Sequence, residues 1–345
     1  MTPSAAGPRR FAQITGVGSA LPERVVPNAY FERLLDTSDE WIQDRTGIKS
    51  RRFASEGETT STLAADAGGR ALESAGVDPG SVDLLIVATC TPDRPLPAAA
   101  AYVQRLLGMT CPAFDLNAAC AGFIYGVSTG SSFVQAGNAE RVLVVGSEVL
   151  SRVVNMTDRT TCVLFGDGAG AVVLQPSDEP GVLDSILALD GTQSELLTIP
   201  AGGVEEPANA ESIASHRHEI HMSSGSSVFK RAVVGMAEAC ASLLEKAGLS
   251  VEDVDVVIPH QANARIIAAV RERLHIPPER VFVDMEEVGN TSAASIPIAM
   301  DRAWRDGRLR PGDLVLTTAF GAGLAWGANL LRWTAPSPEG RAADA

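Results

Sequence analysis

The chain has 345 residues, 45% hydrophobic and 20% charged, enough for a large buried core in one composite domain or two. Its 28 Lys and Arg against 42 Asp and Glu leave a net charge of −14, which argues against nucleic acid and anionic membrane as partners. Five cysteines, an odd count without zinc-ligand or CxxC spacing, argue against a disulfide framework and fit a reducing compartment with one reactive thiol.

In chain order, residues 1–22 carry two arginines but no apolar run of signal-peptide length. No later stretch approaches the ~20 apolar residues needed to span a bilayer, so a cytoplasmic protein is expected. "GVGSAL" at Gly16 lacks the third glycine of a dinucleotide fingerprint, and no phosphate-binding P-loop is present. From Ala75 the chain reads "AGVDPGSVDLLIVATC", and from Ala247 it reads "AGLSVEDVDVVIPHQA", an offset of 172 residues. The same offset aligns "RVLVVGSE" at Arg141 with "DLVLTTAF" at Asp313 and sets Cys120 on Ser292. Each half therefore reads as alternating helices and continuously apolar strands, the pattern of sheets covered on both faces. Two such halves predict a pseudo-twofold α/β/α/β/α sandwich. The expected divisions are an N-terminal half over 1–176, a connection over 177–226 rich in Ser, Gly, Glu and His, a C-terminal half over 227–334, and a disordered tail over 335–345.

Sites in such sheets form beyond the carboxyl ends of strands. "DLNAACAGF" puts Cys120 there, after a strand expected to be buried and at the start of a helix whose partial positive charge favours thiolate. In the second half His260 follows its strand in "VDVVIPHQAN", and Asn290 precedes the position equivalent to Cys120 in "VGNTSAAS". Singly, each has a structural reading: a packed cysteine, a hydrogen-bonded histidine, a helix cap. Their coincidence under an independently found repeat favours one joint site. "HRHEIH", His216 to His221, invites a metal reading but lacks a second cluster, so no metal is expected.

The motifs "TSDEWIQDRTGI", "AFDLNAACAGF", "FGDGAGA", "PHQAN", "GNTSAAS" and "AFGAGLAWG" together resemble β-ketoacyl-acyl-carrier-protein synthase III of the thiolase superfamily, from about Ile14 to Trp333. The resemblance implies a five-layered thiolase fold and a catalytic triad of Cys120, His260 and Asn290. Cys120 would take an acyl group from an acyl-coenzyme A, and decarboxylation of malonyl-acyl carrier protein would supply the attacking carbanion, with no metal or redox cofactor. It implies an oxyanion loop at Gly321, Ala322 and Gly323, with Ala322 where the family often has glycine. Backbone donation survives that change with a negative φ at Ala322, whereas a positive φ would strain the alanine and slightly displace the hole. For coenzyme A it implies Trp41, Arg45, Arg159, Gly225, Phe229 and Asn263. It places Leu96 as an acyl-pocket residue reaching across a homodimer interface, and Lys230, Arg265, Arg271 and Arg273 as the basic patch that docks the acidic carrier protein. A paralogue that primes polyketide synthesis or acylates another nucleophile is the alternative reading, and a non-catalytic partner subunit is another.

Overall fold

The structure is a computed structural model that describes residues 10–336. The expected tail lies outside the described residues from position 337 onward. Its first two residues belong to the fold instead: Ala335 is fully buried, and the Pro336 carbonyl accepts the Trp304 indole N–H at 2.8 Å.

Two sheets repeat one topology. The first runs in the order Phe11–Ala20, Asp167–Ser177, Val142–Val149, Leu84–Ala88, Ala113–Leu116. The second runs Val182–Leu189, Ala325–Arg332, Leu314–Gly321, Val256–Pro259, and a parallel bridge from Val257 to Val281 stands where a fifth strand would lie. The segment read as a connection over 177–226 is thus part of the second unit: its strand Val182–Leu189 pairs with Ala325–Arg332. Its half-buried pattern lacks the continuous apolar run that marks Leu84–Ala88, Val142–Val149 and Leu314–Gly321 in the sequence.

The layers follow from which faces the apolar residues occupy. Helices Thr60–Ala75 and Ala99–Leu106 pack Leu63, Leu72 and Val103 on Leu85, Val87 and Leu143 of the first sheet. Helices Gly122–Gln135 and Ser295–Arg305 form the middle layer, with Phe123, Ile124, Ile296 and Met300 in the core between the sheets. Helices Gly225–Ala247 and Ala264–Arg273 close the far side through Met236, Leu243 and Ile267. Strands Leu84–Ala88, Val142–Val149 and Leu314–Gly321 are buried at every position because helices cover both faces. Each such Leu, Ile, Val or Phe contributes about 1.5–3 kcal/mol. Ala113–Leu116 differs from expectation: it is the edge strand and only half-buried.

The repeat is visible in backbone detail. Gly76 and Gly248, 172 apart, both end helices in the left-handed conformation, φ 65° and 68°. At the turns preceding the middle helices the register slips by one. The left-handed residues there are Ala119, φ 45°, and Ser292, φ 51°, so Cys120 corresponds to Ala293 and not to Ser292. These turns cross reciprocally at the centre of the molecule: a Cβ on Gly321 would lie 2.6 Å from the Cys120 nitrogen, and one on Gly146 would lie 2.3 Å from the Ala293 oxygen. Glycine is required at both crossings.

Candidate active site

Each expected site residue is held by local structure that its sequence dictates. Ser38 accepts the Trp41 N–H at 3.1 Å and starts helix Asp39–Thr46, and Gly47 ends it at φ 80°. Four residues apart, Trp41 and Arg45 share one helix face. Asn263 caps helix Ala264–Arg273 by accepting the Arg265 N–H at 2.8 Å, and its amide donates to the Arg45 carbonyl at 3.0 Å. That bond ties the two helices together at one end of a cavity of about 380 Å³.

The cavity is a tunnel that ends at Cys120. Trp41, Arg45, Arg159, Asn263 and Arg265 line it at the helix-capped end, Gly225 and Phe229 along its length, and His260, Asn290 and Gly321 beside the cysteine. A second cavity of about 430 Å³ also reaches Cys120, walled by Cys90, Leu150, Val153, Leu197, Ile199 and Ile220. No Lys, Arg, Asp or Glu lines it. Cys120 therefore stands where two cavities meet.

The expected thiolate is not what the environment favours. Burial pushes the Cys120 thiol up to about 12, the buried carboxylate of Glu148 adds to the rise, and a hydrogen bond with Ser292 opposes it. The helix start at Ala119–Ala121 does not overcome this desolvation. This environment favours the thiol form of Cys120 over the thiolate.

His260 and Asn290 are oriented by their other hydrogen bonds. Ser295 Oγ lies 2.6 Å from His260 Nδ1 and accepts the Gln261 N–H at 3.4 Å; with the serine proton on Nδ1, the ring hydrogen sits on Nε2. Burial lowers the His260 pKa to about 3, so the ring is neutral. Asn290 Oδ1 accepts the Ser292 N–H at 2.9 Å, which leaves its amide N–H groups as free donors. Both residues line the tunnel. Ala322 is outside the left-handed region, which falls instead on Gly323 at φ 127°, so the substitution in the oxyanion loop introduces no backbone strain there.

Other expected residues lie elsewhere. Leu96 is 84% exposed and lines neither cavity of its own chain. Lys230 lines a third cavity of about 550 Å³, on the face of helix Gly225–Ala247 turned from the tunnel, together with Arg231, Phe320 and Trp326. Arg271 pairs with Glu272 at 3.1 Å and Arg273 approaches Glu238 at 4.0 Å, so of the basic patch only Arg265 stands at the tunnel. His216 and His218 turn toward Glu219, and among the described residues no group of three or more His, Cys, Asp or Glu is placed to hold a metal. Sequence reading missed Glu148, although an acid inside the apolar run "VLVVGSEV" is itself a signal, since unpaired Glu is almost never fully buried.

Two family profiles match, 3-oxoacyl-[acyl-carrier-protein (ACP)] synthase III over residues 114–191 and its C-terminal counterpart over residues 244–333. A β-ketoacyl-[acyl-carrier-protein] synthase III from Roseiflexus sp. (strain RS-1) is 51% identical over 327 residues, 94% of this chain and 99% of that protein. The chain belongs to the β-ketoacyl-[acyl-carrier-protein] synthase III family. It is a condensing acyltransferase with the thiolase fold. The crystal structure of the 3-oxoacyl-[acyl-carrier-protein] synthase III of Aquifex aeolicus VF5 is similar with a TM-score of 0.86 at 47% identity, covering 93% of this chain and 100% of that one. The priming β-ketosynthase of the R1128 polyketide biosynthetic pathway is similar with a TM-score of 0.90 at 38% identity, covering 97% and 99%. Among the described residues no helix is long and apolar enough to cross a membrane.

Proposed function

We propose that the protein joins an acyl-coenzyme A starter to malonyl-acyl carrier protein, giving a 3-ketoacyl-acyl carrier protein that begins fatty acid synthesis. The observation that carries this reading is the position of Cys120 between a tunnel with cations and an indole at its far end and an uncharged apolar cavity. Coenzyme A suits the first, and a fatty acyl chain suits the second.

In the first half-reaction the sulfur of Cys120 bonds to the thioester carbonyl carbon. The C–S bond to coenzyme A breaks, and the thiol proton ends on the departing sulfur. In the second, malonyl-acyl carrier protein enters the emptied tunnel and loses carbon dioxide, and His260 Nε2–H and the Asn290 amide stabilise the enolate oxygen. The carbanion attacks acyl-Cys120, the ketoacyl product leaves, and the cysteine takes a proton from solvent. The backbone N–H groups of Cys120 and Ala322 are the donors for the oxyanion of both tetrahedral intermediates. No electrons are exchanged with a cofactor in this sequence, and the protein works in the cytoplasm as a homodimer. The half-buried edge strand Ala113–Leu116, with Phe114 and Leu116 beside an unpaired backbone edge, supports the dimer. Arg265 is the carrier-docking cation that the tunnel mouth favours, with Lys230, Arg271 and Arg273 behind it. The likeness to a priming polyketide synthase, together with a cavity of about 430 Å³ that far exceeds an acetyl group, supports a second reading in which the starter primes a polyketide.

Intact-protein mass after incubation with a panel of acyl-coenzyme A thioesters, followed by malonyl-acyl carrier protein, tests the reading. A Cys120-dependent adduct consumed in the second step is expected. An adduct that persists points to another acceptor, and no adduct with any thioester points to a silent partner subunit.

A further inference from the structure

Arg51 is fully buried on the short strand Ser50–Arg52, which pairs antiparallel with Val25–Pro27. Among the described residues no Asp or Glu pairs with it, and burial lowers its pKa only to about 10, so the guanidinium stays charged at neutral pH. Its Nη1 donates to Asn28 Oδ1 at 2.7 Å and to the Val26 carbonyl at 3.3 Å, and its Nη2 donates to the Val163 carbonyl. The Phe31 ring covers one side, its centroid 4.6 Å from the guanidinium carbon. A buried cation without a counter-ion costs stability that an apolar side chain of similar size would not, so its use here points to what it holds in place.

What it holds is the backbone around Asn290. The Asn290 N–H donates to the Leu164 carbonyl at 2.9 Å, and the Asn290 carbonyl accepts the Gly166 N–H at 2.9 Å. Both backbone groups of Asn290 are thus paired to one segment, and Arg51 grips that segment at the Val163 carbonyl. Arg51 also packs against the two glycines beside these bonds: a Cβ on Gly289 would lie 3.0 Å from the Arg51 Cβ, and one on Gly166 would lie 3.1 Å from it. Next to Arg51, the Lys49 N–H donates to the Glu286 carbonyl at 2.8 Å and Ser50 Oγ to the Glu287 carbonyl at 3.4 Å, which fixes helix Met285–Val288 just before Gly289 and Asn290. The turn of Cys120 crosses at Gly321 and shares none of these bonds.

We propose that Arg51 is a positioning residue for Asn290: it locks segment 163–166 and the Gly289 turn to the strand Ser50–Arg52, and so sets where the Asn290 amide meets the enolate oxygen. The inference rests on the donor role given to Asn290 above. Arg51 itself lines neither cavity at Cys120 and acts through the backbone of Asn290. A donor displaced by about 1 Å loses much of its effect on a transition state, so the consequence falls on condensation. Acyl transfer to Cys120, whose oxyanion meets backbone N–H groups of the other turn, is spared.

The experiment is a double-mutant cycle on the full chain. Self-acylation at saturating acyl-coenzyme A and single-turnover condensation of the acylated enzyme with malonyl-acyl carrier protein are timed separately by rapid quench. Arg51→Met, which keeps the length but not the donors, is expected to slow condensation about 10–100-fold. It should leave self-acylation within about twofold. Arg51→Lys keeps the charge but not the planar fork, and is expected to fall between Arg51→Met and the natural protein. On top of Asn290→Ala, Arg51→Met is expected to add less than about twofold, because the group it positions is gone. If the two losses multiply, if both half-reactions fall equally, or if Arg51→Met changes neither, Arg51 only supports the fold and the proposal fails. Thermal unfolding checks each variant; should Arg51→Met not fold, Arg51→Lys carries the same cycle with the same criteria, and failure of both to fold would make Arg51 a requirement of the fold and overturn the positioning role. If Asn290→Ala alone leaves condensation unchanged, it is the donor role of Asn290 that fails, so the two readings fail separately.

Discussion

His260 and Asn290 are donors that share no hydrogen-bond partner, and each is aimed by a serine. Ser295 holds the His260 ring through Nδ1 at 2.6 Å, and the Ser292 N–H fixes the asparagine amide at 2.9 Å. In the proposed mechanism neither geometry serves the first acyl transfer, where the Cys120 sulfur is the nucleophile and backbone N–H groups meet the acyl oxyanion. Cys120→Ala is therefore expected to abolish the acyl adduct, whereas His260→Ala and Asn290→Ala slow condensation by about 10²–10³ and spare self-acylation. Rapid-quench kinetics of each half-reaction checks this, and equal loss of both would contradict the division. With the His260 pKa at about 3, single-turnover condensation by acylated enzyme should also show no titration through pH 6.5, where an ordinary histidine changes charge. These three residues were legible because the repeat brought strand ends together. The raised pKa of Cys120 was not: burial is its chief cause, and Glu148, which lies 28 positions away in sequence, adds to it only in the fold.

At the scale of elements, the two-faced helix Gly225–Ala247 decides what the tunnel sees. Gly225, Phe229, Ala232 and Met236 recur at helical spacing along the tunnel, while Lys230, Arg231 and Val234 face the third cavity. A charged residue one position from a tunnel residue points away from it, which is why Lys230 could be named from sequence but not placed. At the mouth, the Arg159 guanidinium stands 5.1 Å over the Trp41 ring and also donates to the Asp36 carbonyl at 2.5 Å. A purine entering between them must replace that stacking with its own and open the pair. Trp41→Ala or Arg159→Ala is thus expected to raise KM for acyl-coenzyme A about tenfold, a cost typical of one partly desolvated cation–π contact. The same variants should leave KM nearly unchanged for an acyl-pantetheine thioester that lacks the nucleotide. An equal rise for both donors would mean that the pair only packs the helix Asp39–Thr46.

At the scale of the whole molecule, the duplicated α/β/α/β/α sandwich was readable from strands buried on both faces, whereas the edges were not, because an edge strand and a surface loop share the same mixed pattern. Leu96 shows why this matters for specificity. It is 84% exposed, follows the polar turn after Leu84–Ala88, and lies in the segment leading to helix Ala99–Leu106, whose start is held by Asp115 of the edge strand through the Ala99 and Ala100 N–H groups at 2.7 and 2.8 Å. Pairing of two edge strands would therefore carry this segment to the neighbouring protomer, and a large apolar side chain fully in water would gain a buried site there. If that site is the partner's acyl cavity, Leu96→Ala should shift the preferred starter toward longer or branched chains and Leu96→Phe toward acetyl, with little change in thermal stability of the isolated chain. Competition between acetyl- and hexanoyl-coenzyme A for Cys120, read by adduct mass alongside sedimentation of the same samples, measures both. An unchanged starter ratio in a dimer would place the wall of the cavity in Ile199 and Ile220 of the same chain, and a monomer that keeps its selectivity would remove the partner from the site altogether.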